Sequence, residues 1–202
     1  MNRPATPLPP APAGYRDVLA APAGQLAQVI DGVLDLQPRP ALQHVNTASS
    51  LGALLLPAFR FGDGGPGAPG GWLILDEPEL HFGDTRSDDS VRDIVVPDLA
   101  GWRRERLPDA CQHAAFLTVA PDWVCEILSP STQGIDRVQK MAVYLREGVR
   151  HVWLIEPQAQ VLEVFEARAG AWVRVLSAEG GDSVRAVPFD AVELALGRVF
   201  AW

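Results

Sequence analysis

A glutamate sits in the middle of an otherwise apolar segment, Trp123-Val124-Cys125-Glu126-Ile127-Leu128. The run is short, contains aromatic and β-branched residues, and is closed by Ser129-Pro130-Ser131-Thr132, so it reads as a strand. Alternation places Val124, Glu126 and Leu128 on one face. An unpaired carboxylate is costly to bury among such neighbours. Any fold this chain adopts must therefore bring a metal or a cation to Glu126, or leave its strand at an edge open to water.

The elements around that strand can be read from spacing and turn signals. Leu26, Val29, Ile30, Val33, Leu34 and Leu36 surround Asp31-Gly32, the mark of a β-hairpin over 25–36. Leu42, Val45, Leu51, Leu54, Leu55 and Ala58 recur at helical spacing and predict a helix over 41–59, with Pro57 disturbing its last turn. A Gly/Pro loop over 62–71 precedes a compact strand at 72–75, which Pro78 breaks or edges. Residues 83–93 read as an exposed polar loop, and 94–96 as a buried strand ended by Pro97-Asp98.

Beyond the Glu126 strand, a helix fits 135–147, closed by Gly148, with Val138, Met141, Ala142 and Leu145 as its apolar stripe. Strands at 149–155 and 161–166 and an arm at 172–176 complete the pattern, and there is no internal repeat. This order predicts one α/β (α+β) domain with a mixed sheet over 15–202. Residues 1–14, with five prolines, read as a disordered Pro/Ala-rich leader.

At 202 residues, 48% hydrophobic and 21% charged, the chain has the composition of a soluble globular domain. It lacks an apolar run of roughly 18 residues or more and the charged-then-apolar order of a signal peptide, so a cytoplasmic location without membrane attachment is expected. Cys111 and Cys125 have no metal-ligand spacing, with or without nearby His113, and are expected to be buried reduced thiols. The formal charge of −8 argues against tight, nonspecific nucleic-acid binding. Arg103, Arg104 and Arg106 form the densest local basic patch.

Of the 17 Lys and Arg residues, Lys140 alone is a lysine. A compact ammonium does chemistry that a guanidinium does not, because it holds water and changes its proton affinity when buried. Asp98 ends one strand, Glu126 lies in another and Lys140 is on the helix that follows. Two carboxylates from neighbouring strands make an oxygen-rich corner for a hard cation such as Mg2+, and a lysine there can orient water and offset charge developing on a phosphate. Bland readings stand beside this one. Pro-Asp at a strand end is often only a turn. At 100° per residue Asp136, Lys140 and Tyr144 share a stripe opposite the apolar one, which a solvent-facing Asp136–Lys140 pair would satisfy equally well. Spacing alone does not choose between open water and a cleft.

Pro97-Asp98, then residues 121–132, then Asp136-Arg137 with Lys140 and Tyr144, then Gly148-Val149 and Val152-Trp153-Leu154-Ile155, resemble the Uma-two family of the PD-(D/E)xK restriction-endonuclease-like superfamily. The resemblance implies a mixed β-sheet flanked by helices, with an added hairpin region. It implies Asp98 and Glu126 as ligands of Mg2+ or Mn2+ and Lys140 as the catalytic lysine, moved onto the helix from the usual position two residues after the glutamate, which here is Leu128. His44 matches a histidine at the start of the family's first long helix and would orient rather than react; Asp136 and Tyr144 are supporting candidates. The implied activity is hydrolysis of DNA phosphodiester bonds. A homodimer is also implied, with Trp172, Phe200 and Trp202 as candidate interface residues.

Two positions depart from the family pattern. Gln28 stands where members often carry a glutamate, and the stretch 84–93 is longer and more acidic than usual. The competing function class is a protein that keeps the nuclease fold for binding or assembly, with the carboxylates and lysine forming only a structural ion-pair cluster.

Overall fold

Asp31 and Gly32 turn the chain as expected. Both adopt left-handed backbone angles, φ 48° and 75°, which is what a two-residue hairpin turn requires. They join β1 (Gln25–Ile30) to β2 (Val33–Pro38). The computed structural model describes residues 11–64, 69–83 and 91–202. A short helix, α1 (Tyr15–Leu19), precedes the hairpin, and the Ala13 N–H donates to the Gly32 carbonyl at 2.8 Å. Residues 1–10 of the expected leader lie outside the described residues.

The predicted first helix is α2 (Leu42–Leu55), continued by a π-helical turn, Leu56–Arg60. Pro57 lacks a backbone N–H, and the Phe61 N–H reaches back to the Leu56 carbonyl at 3.0 Å. Leu51 and Leu55 are buried, but Leu42 and Val45 at the other end are exposed, so the apolar stripe applies only to the second half of the helix.

Three strands follow the Gly/Pro loop: β3 (Trp72–Asp76), β4 (Leu80–Gly83) and β5 (Val91–Val95). Next come β6 (Leu99–Arg103) and β7 (Trp123–Ile127). A π-helical turn, Ile135–Lys140, runs directly into α3 (Met141–Arg146). The chain ends with β8 (His151–Glu156), β9 (Val161–Arg168), β10 (Ala171–Glu179), a small pair β11 (Ser183–Val184) and β12 (Leu194–Ala195), and α4 (Leu196–Val199).

The main sheet has the order β10-β9-β8-β7-β6-β3 and is mixed: β7 and β8 are parallel, and the other neighbours are antiparallel. A second, four-stranded sheet has the order β2-β1-β5-β4. The strand carrying Glu126 therefore lies inside the main sheet, not at an edge. Its alternate residues face two cores. Trp123, Cys125 and Ile127 pack with Leu51, Leu55, Phe189 and Val199, whereas Val124 and Leu128 pack with Trp102, Met141, Val143, Leu154 and the second sheet's Phe82 and Val95. Gly101 permits the close packing here, since a Cβ at that position would lie 3.1 Å from Trp123 and 3.3 Å from Trp72.

Several expectations are corrected. β4 and β6 were not anticipated: one is four residues long after a proline, and the other contains Gly101 and ends at Arg103. The polar loop 83–93 is not exposed throughout. β5 begins at Val91, and Asp93 is fully buried, accepting from the Asp31 N–H at 2.8 Å and pairing with Arg146. Residues 84–90 lie outside the described residues.

The expected apolar stripe on the second helix holds only at Met141, which is buried, with Leu145 half-buried. Val138 is 68% exposed and Ala142 also faces outward, while Asp136, Lys140 and Tyr144 are buried. The basic patch is internally engaged: Arg103 stacks over Trp72 at 4.3 Å, Arg104 donates to the Trp72 and Arg60 carbonyls, and Arg106 pairs with Asp122 at 2.7 Å. Trp172 donates to the Met141 carbonyl and Phe200 packs on the first core, leaving Trp202 as the exposed member of that trio. Cys125 is a buried free thiol as expected, but Cys111 is only half-buried and His113 is exposed. Among the described residues, no helix is long and apolar enough to cross a membrane.

Candidate functional site

The C-terminal end of β7, the β5–β6 connection, the first turns of α2 and the π-helical turn before α3 meet around a cavity of about 300 Å³. Asp98, Glu126, Lys140, His44 and Asp136 all line it. Tyr144 lies behind Glu126. All six residues singled out in the sequence are thus brought to one place, although their positions span a hundred residues.

Glu126 is 2% exposed and its two oxygens have different partners. Lys140 Nζ donates to Oε2 at 2.9 Å, and the Tyr144 hydroxyl donates to Oε1. Lys140, equally buried, also donates to the Val96 carbonyl at 3.2 Å and lies 3.4 Å from Asp136 Oδ1. The cation that a buried Glu126 demanded is therefore the chain's single lysine.

Asp98 is held from two sides. Its Oδ2 accepts from the main-chain N–H of Ile127 at 2.6 Å, and its Oδ1 lies 2.6 Å from His44 Nε2. The first contact ties Asp98 to the residue next to Glu126, so the two carboxylates are kept in register by backbone geometry. The π-helical turn matters in the same way. With Asp136 and Lys140 both facing inward, the following α3 still presents Met141, Val143 and Tyr144 to the core. The Thr132 carbonyl accepts from both the Ile135 and Asp136 N–H groups where that turn begins.

The electrostatics follow from burial and crowding. Burial raises the Glu126 carboxyl to about 8, helped by Asp136 and Asp98 and opposed by the Lys140 ammonium. Burial also raises Asp136, against the pull of Lys140. For Lys140 burial acts downward, but Glu126, Asp136 and Asp98 outweigh it and its affinity for the proton rises. Burial likewise lowers His44, and the Asp98 hydrogen bond and charge more than restore it. Four carboxyl side chains, Glu77, Asp98, Glu126 and Asp136, thus line the cavity together with three basic ones, Arg39, His44 and Lys140.

Among the described residues no three His, Cys, Asp or Glu side chains form a ready-made cation cage. Mg2+ does not require one, because it is commonly held through one or two carboxylates with water completing its shell. Asp98 and Glu126 line the same cavity, and each carboxylate oxygen retains a lone pair beyond the bonds described. The donor chemistry fits a hard divalent ion.

Gln28 is fully buried beside this site. Its Oε1 accepts from the Val96 N–H at 2.8 Å, on the residue whose carbonyl holds Lys140, while its Nε2 has no partner among the described residues. The sequence reading did not single out the other cavity residues: Arg39 between two prolines, Glu77, and the hydroxyls Ser129, Ser131 and Thr132. The sequence marks Ser129-Pro130-Ser131-Thr132 as a strand end and as part of the stretch that carries the family resemblance, without assigning those hydroxyls a role.

Residues 15–197 match the Uma2 family, described as "Putative restriction endonuclease". The fold is similar to that in a crystal structure described as a "putative nuclease belonging to DUF820" from Anabaena variabilis ATCC 29413. The two share 21% identity with a TM-score of 0.73, over 95% of this chain and 99% of that one. At that identity the likeness is one of fold. No curated protein matches the chain.

Proposed function

The chain belongs to the Uma2 family, and from that membership we propose that it is a metal-dependent endonuclease hydrolysing DNA phosphodiester bonds. The observation that carries the reading is the Lys140–Glu126 contact of 2.9 Å beside Asp98, in the wall of a cavity of about 300 Å³. A buried lysine and two carboxylates converging there are the groups that such hydrolysis uses.

In this reading Asp98 and Glu126 would hold Mg2+ or Mn2+. When bound, the ion supplies Lewis-acid polarisation of a phosphoryl oxygen and makes water a better nucleophile. Lys140 stays charged throughout, positions the attacking water and offsets negative charge as it develops on the phosphate. Water oxygen bonds to phosphorus and releases a proton to solvent, the ester P–O bond breaks, and the leaving oxygen takes a proton from solvent. Asp136 holds the Lys140 ammonium in place, Tyr144 holds Glu126, and His44 holds Asp98 without reacting itself.

The test is cleavage of supercoiled and single-stranded DNA with Mg2+ or Mn2+, comparing the native protein with Glu126→Ala and Lys140→Ala. Cleavage by the native protein alone supports the proposal; native activity no greater than that of the variants removes it. A second reading has its own support. Both Glu126 oxygens already have protein partners, as they would in a nuclease fold retained for binding or assembly with a purely structural ion-pair cluster. That reading predicts no metal binding at Asp98.

A further inference from the structure

We propose that Arg39, which lines the cavity together with the hydroxyls of Ser129, Ser131 and Thr132, anchors a phosphate of the substrate strand there. The inference rests on the phosphodiester reading above and adds a substrate-binding residue to it.

Three cationic residues line the cavity: Arg39, His44 and Lys140. Two are already committed, His44 to Asp98 at 2.6 Å and Lys140 to Glu126 at 2.9 Å. Arg39 is exposed, and among the described residues it makes no ion pair. Among the described residues it is the one lining cation without an ionic partner. A guanidinium presents paired donors in a plane that matches two oxygens of a phosphate, which an ammonium does not.

The surroundings make such an anchor necessary. Asp98, Glu126, Asp136 and Glu77 line the same cavity, and the whole chain carries −8, so an approaching phosphate meets repulsion before it meets Lys140. A positive group at the rim offsets that repulsion at the point of entry. The backbone presenting it is stiff: Pro38, the last residue of β2, and Pro40, just before α2, restrict both sides of Arg39. The hydroxyls of Ser129, Ser131 and Thr132 line the same cavity, with Ser129 Oγ 3.0 Å from that of Ser131 and 2.9 Å from Thr132 Oγ1.

The probe is a fluorescently labelled oligonucleotide, single-stranded and duplex in separate arms. Its binding is read by anisotropy across a salt series with Ca2+ replacing Mg2+, and its cleavage is read separately with Mg2+. The variants are Arg39→Ala and Arg39→Lys, with Arg150→Ala as a control. Arg150 is exposed just before β8, at the end of the sheet away from the cavity, and its loss changes the net charge equally. The expected result is a rise in Kd of about tenfold for Arg39→Ala, with the salt dependence flattened by about one phosphate contact. Arg39→Lys should recover part of the loss, and Arg150→Ala should bind as the native protein does.

Native-like Kd and salt slope in Arg39→Ala overturn the inference, even if the native protein cuts DNA. An equal loss in Arg150→Ala also overturns it, because the effect would then be net charge alone. Weakened binding in Arg39→Ala with no cleavage by the native protein keeps the anchor and removes the hydrolytic reading. A native protein that neither binds nor cuts removes both.

Discussion

Lys140 Nζ lies 2.9 Å from Glu126 Oε2, and both side chains are almost wholly enclosed. Buried pairs of this kind are asymmetric in energy. Desolvation nearly cancels the attraction while both partners are present, but removing one strands the other. Lys140→Met should therefore cost about 3–5 kcal/mol in urea unfolding. Lys140→Met/Glu126→Gln should regain most of that loss, and neither protein should cleave DNA. A double variant no more stable than Lys140→Met would mean that Glu126 is satisfied by other groups.

Tyr144 isolates a smaller effect at the same carboxylate. Tyr144→Phe preserves the ring's packing and removes only the donor to Glu126 Oε1, so about 1–3 kcal/mol of stability should be lost. Because Glu126 then loses one of two restraints, DNA cleavage should fall as well. Unchanged stability and activity would show that the hydroxyl bond contributes nothing.

Metal binding separates the two functional readings. Titration of Mg2+ or Mn2+ by calorimetry should give heat with the native protein and none with Asp98→Ala. Equal heat from both would exclude Asp98 as a ligand.

A second buried carboxylate, remote from the cavity, ties α3 to the hairpin. Arg146 pairs with the fully buried Asp93 and with exposed Asp31 at 3.2 Å, while Arg92 lies 4.0 Å from Asp93. Arg146→Ala should cost about 1–3 kcal/mol by removing a charged donor from buried Asp93, whereas Asp31→Ala should cost less than about 1 kcal/mol because that pair is largely solvated. Thermal unfolding of the two variants measures the contrast.

The pH dependence of stability can be read at Glu163. Burial pushes its carboxyl upward, but hydrogen bonds from Arg174 at 2.7 Å and Arg137 at 2.6 Å outweigh burial and leave it below the usual carboxylate value. A depressed folded pKa stabilises above the unfolded value and ceases to do so as pH falls through the folded one. Glu163→Gln should therefore be less stable than the native protein at pH 7, by roughly 0.2–1 kcal/mol for a partly solvated pair, and the gap should close below about pH 4. A gap that persists into acid would assign the effect to packing.

Much of the site could be read from the chain. A glutamate among Val124, Cys125, Ile127 and Leu128 demanded a cation, and the family resemblance named Asp98, Lys140 and His44 along with it. The hairpin at Asp31-Gly32 was equally legible, because a left-handed two-residue turn depends on those two residues and their neighbours. β4 and β6 were not legible: four residues after Pro78, and a strand containing Gly101, carry too little periodic signal and are held by their partners in the sheets.

The stripe Asp136-Lys140-Tyr144 marks where local information ends. Its spacing followed from the amino-acid order, which placed the three residues on one face and Val138 and Ala142 on another. Whether that face met water or protein depended on β7, β5 and α2, whose residues lie up to a hundred positions away. Helical amphipathicity ordinarily sends the apolar face inward. Here Glu126 takes donors from Lys140 and Tyr144, and Lys140 also reaches the Val96 carbonyl, so the polar face is buried and Val138 is left in solvent. The sequence thus determined the inventory of charges and their local spacing, and the tertiary structure decided which of them would have to satisfy one another out of reach of water.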